Sequence, residues 1–168
     1  MGDGGVDVKS GYMEHVHKQY FHILKFLMLY DWKKVTKPAV VMDIDETAIC
    51  NIPNVTFKGV SMKGQAIPGA LAVVEYLNKR GVSVYFVTAR SHQLKEQSTR
   101  QLFAHGFRFA GIFHQNREKY PDYGSYKRAA RQLIAKHHTI VACIGDQVAD
   151  VNSHCERGFL IVNPFYKV

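Results

Sequence analysis

The chain has 168 residues, of which 46% are hydrophobic and 21% charged; this suits one compact domain and excludes disordered and collagen-like classes. A formal net charge of +8 favours anionic partners but does not choose among phosphate esters, nucleic acids and anionic lipid surfaces. Cys50, Cys143 and Cys155 show neither a CxxC pair nor a Cys/His ligand spacing, which argues against a disulfide framework or zinc site and for a reducing compartment.

Residues 1–10, MGDGGVDVKS, are glycine-rich and carry little hydrophobic pattern, so they read as a flexible arm. Over residues 11–34, Val16, Tyr20, Ile23, Leu24, Leu27 and Met28 recur at spacings of three and four, which predicts an N-terminal helix packed on the domain behind it. Phe21, Phe26 and Leu29 widen that stripe, consistent with tight core packing or a homodimer contact. The most apolar stretch, Tyr20 to Tyr30, contains His22 and Lys25 and falls well short of the roughly 20 residues that span a bilayer. No signal-peptide pattern is evident and Val6 stands where a myristoylation motif wants Ser or Thr, so the expectation is a cytoplasmic protein without a transmembrane segment.

Residues 35–168 read as one α/β domain. Ala39 to Met42 is a short β-branched run, as expected of a strand buried on both faces, and it ends at Asp43. A helix from Pro68 to Arg80, stopped by Gly81, leads into a strand from Val82 to Val87 that delivers Thr88. Ser91 is the expected N-cap of a helix running to His105 and Gly106. A weaker strand, Ala110 to Phe113, precedes the loop His114 to Gly124, and a helix from Ser125 to His137 follows. The strand Thr139 to Ile144 delivers Gly145 and Asp146, helical residues run from Val148 to Cys155, and a last strand covers Phe159 to Val162. Such alternation implies a Rossmann-like three-layer sandwich with a mainly parallel sheet.

Ligands in such sheets bind beyond the carboxyl ends of the strands, which is where Asp43, Thr88 and Asp146 are placed. Asp43, Asp45, Asp146 and Asp150 gathered there would repel one another unless a cation lay among them, and hard oxygen ligands favour Mg²⁺. The nine histidines form no HxH or HExxH pair that would suggest another metal.

The set Asp43/Asp45/Thr47 in DxDxT form, Thr88 after an apolar strand, Lys127, and Gly145/Asp146/Asp150 in GDxxxD form resembles, in order, the four motifs of the haloacid dehalogenase (HAD) superfamily. The forms DIDET, VTAR and GDQ are closest to its acid phosphatase branch, which includes class B acid phosphatases, bacterial lipoprotein acid phosphatases and plant vegetative storage proteins. The resemblance implies a Mg²⁺-dependent phosphomonoester hydrolase in which Asp43 is the nucleophile and forms an aspartyl-phosphate, with Asp45 as general acid/base. It further implies that Thr88, the Ala89 amide and Lys127 bind phosphate, and that Asp43, the Asp45 backbone carbonyl and Asp146 hold the metal. Asp150 would orient Lys127 or a metal-bound water, while Arg90 is divided between substrate contact and a supporting role. Relatives in the branch are often secreted.

Caps that select substrates in this superfamily follow the first motif or lie between the second and third. The first space holds only about twenty residues, including Asn51-Ile52-Pro53-Asn54 and Lys58-Gly59, and predicts a flap rather than a domain. The second leaves the loop 114–124, whose Tyr120 and Tyr123 would stack a base or pack the loop. The expected substrate is a small phosphomonoester such as a nucleotide, the alternatives being nucleic acid ends or phosphoproteins and, on a third reading, a non-catalytic storage or binding protein.

Overall fold

The structure, a computed structural model, describes residues 8–52, 56–57, 60–61 and 64–167. Residues 1–7, Pro53-Asn54 and Lys58-Gly59 therefore lie outside the described residues.

The elements in order are α1 (Val8–Leu29), β1 (Pro38–Met42), β2 (Ile49–Cys50), β3 (Thr56–Phe57), β4 (Val60–Ser61), β5 (Gln65–Ala66), α2 (Pro68–Lys79), β6 (Ser83–Ser91), α3 (Lys95–Ala104), β7 (Gly111–Gln115), α4 (Tyr123–Ala135), β8 (Thr139–Gly145), α5 (Val148–Val151) and β9 (Arg157–Leu160). The main sheet has the order β7-β6-β1-β8-β9, and all four of its strand pairs are parallel. The chain winds outward from β1 through β6 to β7, then returns to place β8 on the other side of β1. The reversal between β1 and β8 is the switch point at which such sheets open a crevice.

Period-two alternation divides β1 between two cores. Val40 and Met42 join α1, α2 and the α3 residue Leu102 on one face, while Ala39 and Val41 pack with Tyr126, Ala130 and Ile134 of α4 on the other. The result is the expected three-layer α/β sandwich.

On α1, Tyr12, Val16, Tyr20, Ile23 and Leu27 are buried, whereas Phe21, Met28 and Leu29 are exposed. The inward stripe is therefore narrower than the sequence predicts, and Phe26 packs edge-on against Phe159. Close approach of α1 and α2 depends on Gly69, because a Cβ there would meet the Cβ of Tyr20 at 2.3 Å. No helix among the described residues is long and apolar enough to cross a membrane.

Several boundaries differ from the sequence reading for local reasons. Ser91 caps the short 3-10 turn His92–Leu94, accepting from the Gln93 amide, so α3 starts only at Lys95. Asp122 caps α4, ahead of the helix start at Ser125 that the sequence reading gives; its carboxylate accepts from both the amide and the hydroxyl of Ser125. That brings Tyr123 into the helix, and with β7 reaching Gln115 the connecting loop shrinks to residues 116–122. The α5 helix stops at Val151 instead of Cys155, and β9 covers Arg157–Leu160, leaving Val162 outside it. Between β1 and α2 the two short antiparallel pairs β2-β5 and β3-β4 form a flap rather than a cap domain.

Candidate active site

Asp43 follows the last residue of β1, and its amide donates to the Ile144 carbonyl at 2.9 Å, tying it to β8 at the switch point. The chain then turns tightly: the amides of Thr47, Ala48 and Ile49 all donate to the Ile44 carbonyl. Glu46 takes a positive φ of 55° in this turn, a conformation that costs a non-glycine residue on the order of 1 kcal/mol. The Glu46 carboxylate accepts from the Asn51 amide at 2.6 Å, and burial pushes its pKa up to about 7. Tyr20 of α1 donates its hydroxyl to the Thr47 carbonyl, so the N-terminal helix holds the same turn from behind.

Lys127 projects from the buried face of α4 with a relative exposure of 1%. Its ammonium lies 3.0 Å from Asp43 Oδ1 and 2.8 Å from Asp150 Oδ1, and it also donates to the Val87 carbonyl. Burial disfavours its charge, but Asp43 and Asp150 outweigh that and hold its pKa above the ordinary lysine value. Tyr123, whose phenol is kept protonated by burial and by the charge of Asp43, donates to Asp150 Oδ1 at 3.2 Å.

Asp146, one residue past β8, accepts at Oδ2 from Asn163 Nδ2 at 2.8 Å and from Gln147 Nε2 at 3.1 Å. Asp150 Oδ2 accepts from the Gln147 amide at 3.0 Å, closing a capping box at the start of α5. Gly145 makes room for this, since a Cβ there would lie 2.2 Å from that of Asp150. Behind α5, the buried Arg131 donates to the carbonyls of Ala149 and Asp150 at 2.8 and 3.1 Å and to Asn152 Oδ1 and Ser153 Oγ, both at 3.0 Å.

Asp43, Asp146 and Asp150 each offer an oxygen within 4.8 Å of the others. Burial, followed by the charge of Asp150, pushes the Asp43 carboxyl well above the usual range in spite of Lys127. A bound cation would reverse that push, so this donor set suits a hard divalent ion.

Asp45 faces the other way. Arg90 grips it with Nη2 to Oδ1 at 2.7 Å and Nε to Oδ2 at 3.0 Å, and Asn51 Nδ2 adds a bond to Oδ1 at 2.7 Å. Arg90 Nη1 is itself fixed by Gln101 Oε1 at 2.8 Å and Ser98 Oγ at 3.2 Å.

A cavity of about 130 Å³ among Asp43, Asp45, Ala89, Tyr123, Asp146 and Tyr166 forms the centre. Of the sequence-predicted residues, Asp43, Asp45, Ala89 and Asp146 line it, while Lys127 and Asp150 stand behind Asp43. Thr88 is fully buried, and its hydroxyl accepts from the Arg90 amide at 3.1 Å. Tyr120 lines a different cavity with Phe113 and Leu133. Sequence reasoning did not assign Asn51, Tyr123's bond to Asp150, Gln147, Asn163 or Arg131 to the site.

A parallel sheet with an acidic cluster and a buried lysine at its switch point defines a HAD-like fold. The chain belongs to the family described as HAD superfamily, subfamily IIIB (Acid phosphatase), which matches residues 8–168, and is accordingly a phosphomonoester hydrolase. In fold it is similar to the class C acid phosphatase from Bacillus anthracis, with a TM-score of 0.76 and 22% identity over 93% of this chain and 79% of that one. The same enzyme with tungstate bound gives a TM-score of 0.71 at 21% identity, again over 93% and 79% of the two chains. No curated protein matches the sequence significantly.

Proposed function

We propose that the chain hydrolyses small phosphomonoesters, nucleotides among them, through an aspartyl-phosphate on Asp43. The observation that carries this reading is the single ammonium of Lys127 bonded to both Asp43 and Asp150. It leaves Asp43 next to Asp146 and Asp45 around a cavity of phosphoryl size.

Mg²⁺ would be held by the carboxylates of Asp43 and Asp146 and the backbone carbonyl of Asp45, and when bound it supplies positive charge against the phosphoryl oxygens. The other roles belong to the chain's own groups. A carboxylate oxygen of Asp43 attacks phosphorus as the bond from phosphorus to the leaving oxygen breaks, and Asp45 passes its proton to that oxygen. Asp45 then takes a proton from water as the water oxygen attacks phosphorus, which frees phosphate and regenerates Asp43. Lys127 and the Ala89 amide offset charge on the phosphoryl group, with Thr88 assisting from β6. Asp150 keeps Lys127 in place.

Action on nucleic acid ends or phosphoproteins draws on net charge and on the tyrosines of loop 114–124, of which Tyr120 lines a separate cavity, and a storage role leaves the joint presence of Asp43, Asp45, Lys127 and Asp146 without a purpose. The test is steady-state hydrolysis of a phosphomonoester panel with Mg²⁺, with EDTA, and with Asp43→Asn. Hydrolysis should be lost in both of the latter; undiminished turnover by Asp43→Asn would overturn the mechanism.

A further inference from the structure

The chain leaves the sheet after β9 and turns back toward the catalytic end. The Ile161 amide still ties to β8, donating to the Gly145 carbonyl at 2.7 Å, and the Val162 amide donates to Gln19 Oε1 of α1 at 3.0 Å. Asn163, which follows, uses both ends of its side chain. Nδ2 donates to Asp146 Oδ2 at 2.8 Å, while Oδ1 accepts from the amides of Phe165 and Tyr166 at 3.1 and 3.4 Å. The second pair closes a turn of the kind asparagine forms with the backbone just ahead of it, and the turn brings Tyr166 to the wall of the central cavity. Phe165 anchors the same segment independently, its ring edge-on to Tyr12 at 5.2 Å.

A lone carboxylate rotates about its Cβ–Cγ bond. For Asp146 the side-chain amides of Asn163 and Gln147 both meet Oδ2, which fixes that rotation and leaves the other oxygen to a cation. Gln147 is the next residue and moves with Asp146, whereas Asn163 comes from a segment held by α1 and β8. The residue type matters. A lysine or arginine would orient the carboxylate but set its own charge against the cation, and an aspartate would add a further carboxylate to the cluster. A neutral amide donates to a carboxylate and accepts from backbone N–H groups at once. Carboxylates that bind metals are held by such hydrogen bonds, and losing one weakens metal binding.

Resting on the Mg²⁺ reading above, we propose that Asn163 is a positioning residue of the cation site: it orients Asp146 as a ligand and ties that ligand to the turn carrying Tyr166.

The experiment is thermal denaturation of the wild type, Asn163→Ser and Phe165→Ala across a Mg²⁺ series. The midpoint without metal reads stability, and its rise with Mg²⁺ reads affinity, because a ligand stabilises the folded state according to its Kd. Serine still accepts from the turn amides but is too short to reach Asp146. Asn163 is half-buried and lies beyond the last strand, so misfolding is a small concern. Asn163→Ser should need about 10–100 times more Mg²⁺ for the same rise. Phe165→Ala should lower the metal-free midpoint and keep the wild-type Mg²⁺ dependence. An unchanged Mg²⁺ dependence in Asn163→Ser overturns the assignment. An equal weakening in Phe165→Ala also overturns it, because anchoring of the segment would then suffice. A wild type whose midpoint does not respond to Mg²⁺ would sink the metal reading itself, and the assignment with it.

Discussion

The guanidinium of Arg90 grips the carboxylate of Asp45 at two points, Nη2 to Oδ1 at 2.7 Å and Nε to Oδ2 at 3.0 Å. A planar fork fixes the plane and direction of a carboxylate in a way that a lysine ammonium does not. With Gln101 and Ser98 fixing the far side of the guanidinium, the orientation of the Asp45 carboxylate is set by Arg90, and on the mechanism proposed above Arg90 is its positioning residue.

Arg90→Ala should therefore injure the proton-transfer step selectively. Turnover of an alkyl phosphate is expected to fall about 100-fold, the lower end of what a positioned acid supplies, with a smaller fall for p-nitrophenyl phosphate, whose leaving group departs without a proton. Arg90→Lys should recover only part of the loss. Equal losses on the two substrates would contradict the role given to Arg90.

Removing the ammonium with Lys127→Met leaves Asp43 and Asp150 buried without their cation. Breaking a buried pair in this way costs about 3–5 kcal/mol. Urea denaturation of the metal-free protein at neutral pH should show a loss of that order. The loss should shrink as the pH falls and the carboxylates take up protons, and a variant as stable as the wild type would contradict the account.

At Gly145 the constraint is steric. A methyl group would lie 2.2 Å from Asp150 Cβ and 2.5 Å from its Cγ, so Gly145→Ala must displace the start of α5 or the end of β8. Overpacking of this kind costs about 1–3 kcal/mol, and turnover should fall along with stability because Asp150 moves away from Lys127. Unchanged denaturation and kinetics would show that the loop yields freely.

A fourth expectation concerns the thiols. The neighbouring Cys143 thiol holds the Cys155 thiol below the ordinary cysteine range, against the opposing effect of burial. A lowered thiol pKa means that thiolate is present at lower pH, so alkylation of Cys155 by iodoacetamide should reach half its maximal rate at a lower pH than in Cys143→Ala. Identical profiles would contradict this pairing.

The parts of the site readable from sequence are those written in short local spacing. Asp43 and Asp45 follow a strand whose run of Ala39 to Met42 signals burial on both faces, and Gly145, Asp146 and Asp150 lie within one strand-to-helix turn. The remaining contacts join residues far apart in the chain. Asn163 reaches Asp146 across 17 positions, and Arg90 reaches Asp45 across 45. Within α4, Lys127 and Arg131 share the buried stripe of Tyr126, Ala130 and Ile134. A hydrophobicity pattern reads those two cations as breaks in the stripe, although their charges are met by carboxylates and carbonyls supplied by other elements. The end of α5 was hidden for a related reason: Asn152 and Ser153 are bonded by Arg131, a tertiary contact with no local signature.

The central claim is that phosphorus becomes bonded to Asp43. The direct measurement is an acid-quenched single turnover with Mg²⁺ and a phosphomonoester, followed by mass spectrometry of the peptide containing residues 43–47. The account predicts a phosphoryl adduct on Asp43 that rises and decays with product release and is absent in Asp43→Asn. An adduct on another residue, or wild-type turnover by Asp43→Asn, would contradict it.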